Sequence, residues 1–242
     1  MTVIYRPPAA NPAAGGLYSA ATLRDAGDPS RLSFGVLVDS INCGTSWVWP
    51  INCAAPAPVP SPKGTRRTPI PPAFTGDVVG GDDDCAAAVP EDEAQRRAEQ
   101  HLRLQESVRV EQQLTPKLLA AAGIPDHVAG LVAAVGVLEE AVASHGFPGV
   151  LHVAPHLAAA FANAQIVYRQ GGQLLSPMGH RIACGAGYAA LGQTIVATGP
   201  VTVHQGPVVI THGPDYPHRL SVAEREVLVT WECWAHAVTI GA

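Results

Sequence analysis

Prolines interrupt the first third of this 242-residue chain so often that they limit what it can form there. The densest run comprises Pro56, Pro58, Pro60, Pro62, Pro69, Pro71 and Pro72. Proline lacks a backbone N–H and fixes φ, so no helix persists through such a spacing. We therefore predict an extended segment over residues 1–89.

This extended segment carries large apolar side chains, which a simple linker lacks. Residues 32–41 alternate like a strand and place Phe34, Val36 and Val38 on one side. Trp47 and Trp49 repeat on one face a few residues later. The pattern indicates arms that become ordered by lying on a neighbouring molecule.

A long polar helix is predicted after Pro90, which suits a first helical position. Acidic residues follow it at the positive end of the helix dipole, and Glu93 and Arg97 form a favourable i,i+4 pair. The apolar stripe is thin and consists of Ala94, Ala98, Leu102 and Val108. We expect the helix over residues 90–114 to lie on the surface of a domain, with a break at Pro116.

The rest of the chain is predicted to form an α+β body. Asp126 resembles the N-cap of a helix that ends near Ser144, and Gly146 would stop it. Strand-like runs then cover residues 150–153, 195–203, 208–211, 226–231 and 235–240. Gly171 and Gly172 are typical of a hairpin tip, and residues 176–179 of a turn.

The charge and hydropathy of the chain exclude several classes of protein. A net charge of -5 argues against an extensive nucleic-acid surface, which needs clustered Lys and Arg. No apolar run reaches the roughly 20 residues of a membrane span. No secretory leader is recognisable at the start, so we expect assembly in the cytosol.

No catalytic, cofactor-binding or metal site is predicted. His152 and His156 are four residues apart, but Pro155 breaks the helix that would align them on one metal ion. Glu139 and Glu140 are adjacent and point to different sides of a helix. The acidic residues 80–84 lack the spacing of a calcium loop and are interpreted as a solvated turn.

The five cysteines are an odd number without zinc-site spacing. They are Cys43, Cys53, Cys85, Cys184 and Cys233. One interpretation is free, buried thiols. The other is a disulfide between Cys43 and Cys53, formed in an oxidising environment.

The order of these elements resembles the Hong Kong 97-type shell proteins of tailed phages and the encapsulins. Residues 149–155 (GVLHVAP) and 172–182 (GQLLSPMGHRI) are similar to that family's strand, short helix and turn into a second strand. The resemblance implies an N-terminal arm over residues 1–30, an extended loop over 31–89, a spine helix region over 90–122, and a peripheral and axial body over 123–242.

The resemblance also implies a function without catalysis or cofactor. The chain would be a capsid subunit that self-assembles into an icosahedral shell in the virion, with other virion proteins as partners and DNA enclosed without sequence-specific contact. Tyr5, Tyr18, Trp47 and Trp49 would be anchors buried between subunits, because aromatic residues dominate interface energetics. Deleting residues 1–17 would then prevent assembly and leave the body folded.

Two alternatives stay open at this point. The chain could be an accessory virion protein, such as a minor capsid, decoration, head-completion or tail component. An uncharacterised hydrolase or metal enzyme is the third hypothesis.

Overall fold

A computed structural model describes residues 6–27, 32, 34–44, 73–86, 89–213 and 218–241. The α-helices are α1 (Leu17–Ala20), α2 (Glu91–Ala122), α3 (Leu131–Ala143) and α4 (Ala158–Asn163). Two 3-10 helices cover Pro155–Leu157 and Ala186–Leu191. The strands are β1 (Thr22–Asp25), β2 (Val36–Leu37), β3 (Ala73–Phe74), β4 (Asp77–Ala86), β5 (Asp126–Ala129), β6 (Val150–His152), β7 (Tyr168–Gln170), β8 (Gln173–Leu175), β9 (Arg181–Ala183), β10 (Thr194–Thr198), β11 (Val201–Gln205), β12 (Val209–His212), β13 (His218–Trp231) and β14 (Ala235–Gly241).

The strands of the body form two larger sheets. A seven-stranded sheet has the order β5-β14-β10-β6-β9-β8-β7, and a five-stranded sheet combines β1, β11, β13 and β12 with β4 on β13. The predicted single strand over residues 195–203 is therefore two strands in different sheets. Gly199 separates them and lies so close to the next segment that a Cβ there would be 2.2 Å from the Glu232 carbonyl oxygen. A side chain at this position would not fit between the two sheets.

The acidic run over residues 80–84 is part of strand β4 and not a solvated turn, so that prediction is wrong. β4 pairs antiparallel with β13 over ten positions, from Ala86 opposite His218 to Asp77 opposite Val227. Gly81 explains the close packing of β4 on α2, because a Cβ there would lie 2.3 Å from the Leu102 backbone nitrogen. The carboxylates of Asp82 and Asp84 stay exposed on the other face.

Helix α2 runs unbroken for 32 residues with Pro116 inside it, so the predicted break is wrong. Proline removes one helical hydrogen bond. On either side of it, Leu114 and Leu118 are buried and pack into the core, and this packing outweighs the loss. The predicted Glu93 to Arg97 ion pair is present near the start of the helix.

The same helix is more deeply buried than its thin stripe indicates. Leu102, Val110, Leu114 and Leu118 all belong to the larger hydrophobic cluster, which includes residues of both sheets. The seven-stranded sheet has a second cluster on its opposite side, under α3 and α4. Helix α2 is therefore a core element that joins the two sheets, and the expected surface position is wrong for its C-terminal half.

The helix predicted from Asp126 begins later than expected. Residues Asp126–Ala129 form strand β5, parallel to β14, and Gly130 with φ +84° turns the chain into α3. Edge pairing with β14 outweighs the capping potential of Asp126. Val135, Leu138 and Val142 on the inner face of α3 are buried, whereas Val132 on its outer face is exposed.

The hairpin tip at Gly171 and Gly172 is confirmed, since β7 and β8 pair across it and both glycines have positive φ. The strand predicted over residues 32–41 is shorter and covers only Val36–Leu37, paired with Ala73–Phe74. Gly35, with φ +82°, ends the extended run on its N-terminal side. No helix among the described residues is long and apolar enough to cross a membrane.

Candidate functional site

Of the four predicted interface aromatics, Tyr18 is the one that the described residues include. Its hydroxyl donates a hydrogen bond of 2.7 Å to Glu106 Oε1 of the same chain. Tyr5, Trp47 and Trp49 lie outside the described residues. The role of all four between subunits stays a prediction.

Glu111 is the central polar group where the N-terminal segment meets the body. Its side chain is fully buried. Oε1 accepts the backbone N–H of Leu17 at 2.8 Å, and Oε2 accepts that of Gly187 at 2.9 Å. The Ser107 hydroxyl donates a third bond to Oε1 at 3.2 Å. One carboxylate on α2 thereby fastens both α1 and the 3-10 helix Ala186–Leu191.

Three glycines make room for this carboxylate. A Cβ at Gly16 or Gly185 would lie 2.4 Å or 2.0 Å from Glu111 Oε1. A Cβ at Gly187 would lie 2.2 Å from the Val108 carbonyl oxygen, which belongs to the α2 backbone. The backbone of both attached segments therefore approaches α2 more closely than any side chain allows.

Burial determines the protonation of Glu111. Removal from water raises the pKa of this carboxyl above its ordinary value, and the N–H donors from Leu17 and Gly187 partly offset that rise. Each donor would otherwise be an unpaired N–H in the core. These hydrogen bonds therefore pair the buried Glu111 carboxyl group and the two backbone N–H groups with each other.

Glu106, one turn before Glu111, is a second buried acid on the same helix. It accepts hydrogen bonds from Tyr18 Oη and Gln205 Nε2, each at 2.7 Å, and forms an ion pair with Arg225 Nε at 3.4 Å. Burial and the neighbouring Glu106 raise the pKa of Tyr18 far above its ordinary range. An open cavity of about 360 Å³ adjoins these groups, lined in part by Pro12, Gly15, Arg103 and Ser107.

His152 is fully buried and cannot bind a metal ion together with His156. Its Nδ1 lies 2.9 Å from Tyr188 Oη and its Nε2 lies 3.1 Å from Thr198 Oγ1. Burial lowers the pKa of His152 to about 3, so the imidazole is neutral. His156 is exposed and contacts Gln193 instead. Within the described part of the chain, no three His, Cys, Asp or Glu residues gather where they would hold a metal ion.

Glu139 and Glu140 do point to different sides of their helix, as predicted. Glu139 is buried and accepts bonds from the Ser176 hydroxyl at 2.6 Å and the Met178 N–H at 2.7 Å. Glu140 is exposed. Glu139 thus fixes the turn over residues 176–179 against α3.

A disulfide fastens a second N-terminal segment, residues 34–44, to the body. It joins Cys43 to Cys233, whose α-carbons are 5.1 Å apart, so the predicted Cys43 to Cys53 bridge is wrong. Free thiols are also wrong for these two residues, whereas Cys184 is a half-buried free cysteine. Cys53 lies outside the described residues. Sequence spacing missed the pairing because the partners are 190 positions apart and meet only in the folded chain.

Sequence reasoning also missed Glu106 and Glu111. Both acids lie on the buried face of α2, where apolar residues are expected. They become noticeable only when the helical periodicity is continued beyond Leu102. Nothing in the sequence around Gly185 and Gly187 indicates the carboxylate that these glycines cover. Both acids have structural partners in the same chain. Glu111 accepts hydrogen bonds from backbone N–H groups, and Glu106 accepts them from side chains.

Among the comparisons with known proteins, the comparison of structures finds similar proteins. No protein-family model matches the sequence, and no curated protein matches it. The capsid of an empty GTA particle is similar in structure, with a TM-score of 0.58 and 14% identity over 100% of this chain and 95% of that one. This chain has the Hong Kong 97-like shell fold.

Two further solved structures are similar along most of the chain. A virus-like particle from Pyrococcus furiosus has a TM-score of 0.58 and 10% identity over 92% of this chain and 91% of that one. A structure of Mycobacterium phage Adephagia has a TM-score of 0.52 and 14% identity over 100% of this chain and 95% of that one. The Hong Kong 97-like fold therefore covers both sheets and the N-terminal segment, and not one part of the body alone.

Proposed function

We propose that the chain is the shell subunit of a phage head and self-assembles into an icosahedral capsid that encloses the genome. The observation that carries this proposal is the whole-chain likeness to the capsid of a GTA particle. A subunit of this kind performs no catalysis. Its partners are other copies of itself and other virion proteins, and it is assembled in the host cytoplasm.

Four regions are proposed along the chain. Residues 1–30 are the N-terminal arm, 31–89 the extended loop, 90–122 the spine helix region, and 123–242 the peripheral and axial body. The bounds of α2, Glu91–Ala122, support the third region. A helix that packs on both sheets suits a subunit that must keep its shape within a shell.

Exposed apolar side chains support extensive contacts with other copies. Phe34, Ile41 and Ile124 are 91%, 92% and 94% exposed in the single chain. Large apolar side chains left in water are typical of surfaces that become covered on association. Tyr5, Tyr18, Trp47 and Trp49 are proposed as further contacts between subunits.

The genome is proposed to be enclosed without sequence-specific contact. A net charge of -5 supports this, because phosphate binding requires clustered positive charge. The expected result is that DNA within particles resists nuclease until the particles are disrupted.

The proposal is tested by the mass of the untagged protein, measured by light scattering after size exclusion, with negative-stain images of each peak. Closed particles of megadalton mass are expected. Ile41→Asp should remain folded by circular dichroism but should not form particles, and Glu140→Gln is the matched surface control that should still form them. A monomer or small ring that binds only to preformed heads would instead favour an accessory virion protein.

A further inference from the structure

The Cys43 to Cys233 disulfide lies at the surface. Both residues are exposed, and Cys233 stands in the turn between β13 and β14. Disulfide exchange requires that a thiolate reach one of the sulfur atoms. A small-molecule thiol or disulfide in solution can therefore reach this bridge.

Noncovalent contacts also fasten the segment over residues 34–44, since Val36 and Val38 pack on the small apolar cluster that contains Leu228 of β13. β2 and β3 pair over two positions, and the side chains of Ser40 and Asn42 bond to Glu232. Phe34 and Ile41, the large side chains near the two ends of the segment, stay almost wholly exposed. The disulfide thus adds a covalent link between this segment and the body to contacts that are noncovalent.

We propose that Cys43 and Cys233 form a redox-responsive tie, open as two thiols in a reducing compartment and closed as a disulfide in an oxidising one. Closure uses a small-molecule disulfide such as oxidised glutathione. A thiolate from one cysteine attacks it and releases one glutathione, and the second cysteine then displaces the other glutathione. The two protein thiols lose two protons and two electrons, and the reagent is reduced to two thiols.

The order of events rests on the proposed function. The bacterial cytosol keeps thiols reduced, so a subunit assembled there carries the open tie. Release from the cell brings the particle into an oxidising environment, where the tie closes. Oxidation would then stiffen the shell after it has been built.

Cys184 provides an internal contrast. It is half-buried, and burial together with the nearby Glu111 charge raises the pKa of its thiol. A thiol that ionises less readily reacts more slowly with disulfides. Cys184 should stay reduced under conditions that close the tie.

The pairing is tested by peptide mapping of two samples, one alkylated at lysis and one exposed first to oxidised glutathione and alkylated afterwards. Trypsin should release residues 32–63 and 226–242, which contain Cys43 and Cys233. Cys53 lies in the first peptide too, so the mapping is repeated with Cys53→Ser. We expect two alkylated peptides from the sample taken at lysis and one cross-linked pair of peptides after oxidation. The proposal would be overturned if no cross-linked pair formed after oxidation, or if the pair disappeared with Cys53→Ser.

The consequence of closure is tested by thermal unfolding of the same samples with and without a reductant. Closing a loop this long should raise the Tm by about 5–15 °C. Cys233→Ser should abolish the difference between reduced and oxidised samples, whereas Cys184→Ser should preserve it. An unchanged Tm in the wild type would refute the tie as a stabilising device. A separate measurement of particle mass reports whether the proposed shell function itself has failed.

Discussion

Two segments from the first 44 residues are fastened to the body in opposite ways. Residues 15–20 are held from inside, by the buried Glu111 carboxylate and glycines packed against α2. Residues 34–44 are held at the surface, by a disulfide between exposed cysteines, polar contacts to Glu232 and partial apolar packing on β13. The inner attachment is part of the core, and the outer one depends on the chemistry of the surroundings.

This difference changes what a truncation can test. The sequence predicts that deleting residues 1–17 leaves the body folded, but Leu17 is fully buried and its N–H pairs with Glu111. Such a deletion would leave a cavity in the core and remove one of the two donors to Glu111 Oε1. A deletion that ends before Gly15 removes arm residues and keeps the inner attachment intact, so it is the cleaner test of assembly.

Gly187→Ala should break the inner attachment most severely. The new Cβ would meet the Val108 carbonyl oxygen at 2.2 Å, and a helix backbone cannot move aside cheaply. We expect a loss of about 4 kcal/mol or more in the free energy of unfolding, or failure to fold. Urea unfolding followed by circular dichroism measures this.

Gly136→Ala is the matched control for that substitution. Gly136 lies within α3, and a Cβ there would meet no atom within 4 Å. Alanine should stabilise the helix by about 0.5–1 kcal/mol. Equal effects of the two substitutions would contradict the close-packing argument.

Glu111→Ala should weaken the inner attachment by about 2–4 kcal/mol, because it leaves the N–H groups of Leu17 and Gly187 unpaired. The loss should depend on pH. Because the folded pKa of Glu111 is raised, the contribution of Glu111 to stability is largest below the ordinary carboxyl range and is lost as pH rises through the folded pKa. The difference between wild type and variant, measured by urea unfolding, should therefore shrink as pH increases from acidic to neutral.

The exposed Glu140 offers a control on the neighbouring helix α3. Glu140→Ala should change the free energy of unfolding little at any of these pH values. A pH dependence like that of Glu111→Ala would show that the effect comes from net charge and not from the buried site.

His152 provides a test of the inner attachment at acidic pH, because its ring contacts Tyr188 in the 3-10 helix that also contains Gly187. Burial lowers the pKa of His152 to about 3 in the folded chain. Below the ordinary value of about 6.5, the unfolded chain binds a proton that the folded chain does not. The contribution of neutral His152 to the free energy of unfolding is thus fully present above pH 6.5 and is lost as pH falls toward 3. The slope of this loss approaches about 1.4 kcal/mol per pH unit.

His152→Asn should lack this slope. The difference in unfolding free energy between wild type and His152→Asn should stay constant from pH 7 to 9 and fall as the pH is lowered from 6.5 to 5. A difference that stays constant over the whole range would show that folding does not lower the pKa of His152.

The sequence was most informative where local patterns decide structure. The hairpin at Gly171 and Gly172 and the start of α2 after Pro90 depend on backbone preferences and charge near a helix end, which a short window contains. The break expected at Pro116 failed because buried leucines from distant elements override one lost hydrogen bond. Local signals were outweighed where tertiary packing was strongest.

The inner attachment could not be predicted for a related reason. Glu111 contacts residues that are 94 and 76 positions away in the chain, and nothing in the spacing of glycines 16, 185 and 187 connects them. The same holds for Cys43 and Cys233. Sequence periodicity reports which face of an element is buried, but not which distant backbone groups meet there.

Tyr18→Phe is the mildest test of the inner attachment. The substitution removes one donor to Glu106, while Gln205 and Arg225 still contact that carboxylate and the ring keeps its packing. We expect a loss of about 1 kcal/mol in the free energy of unfolding. Tyr168→Phe, at a ring that is 55% exposed, should have little effect and controls for loss of a hydroxyl. If Tyr18→Phe instead leaves stability unchanged but prevents particles from forming, the hydroxyl matters between subunits, and the residue belongs with the outer contacts that depend on a partner.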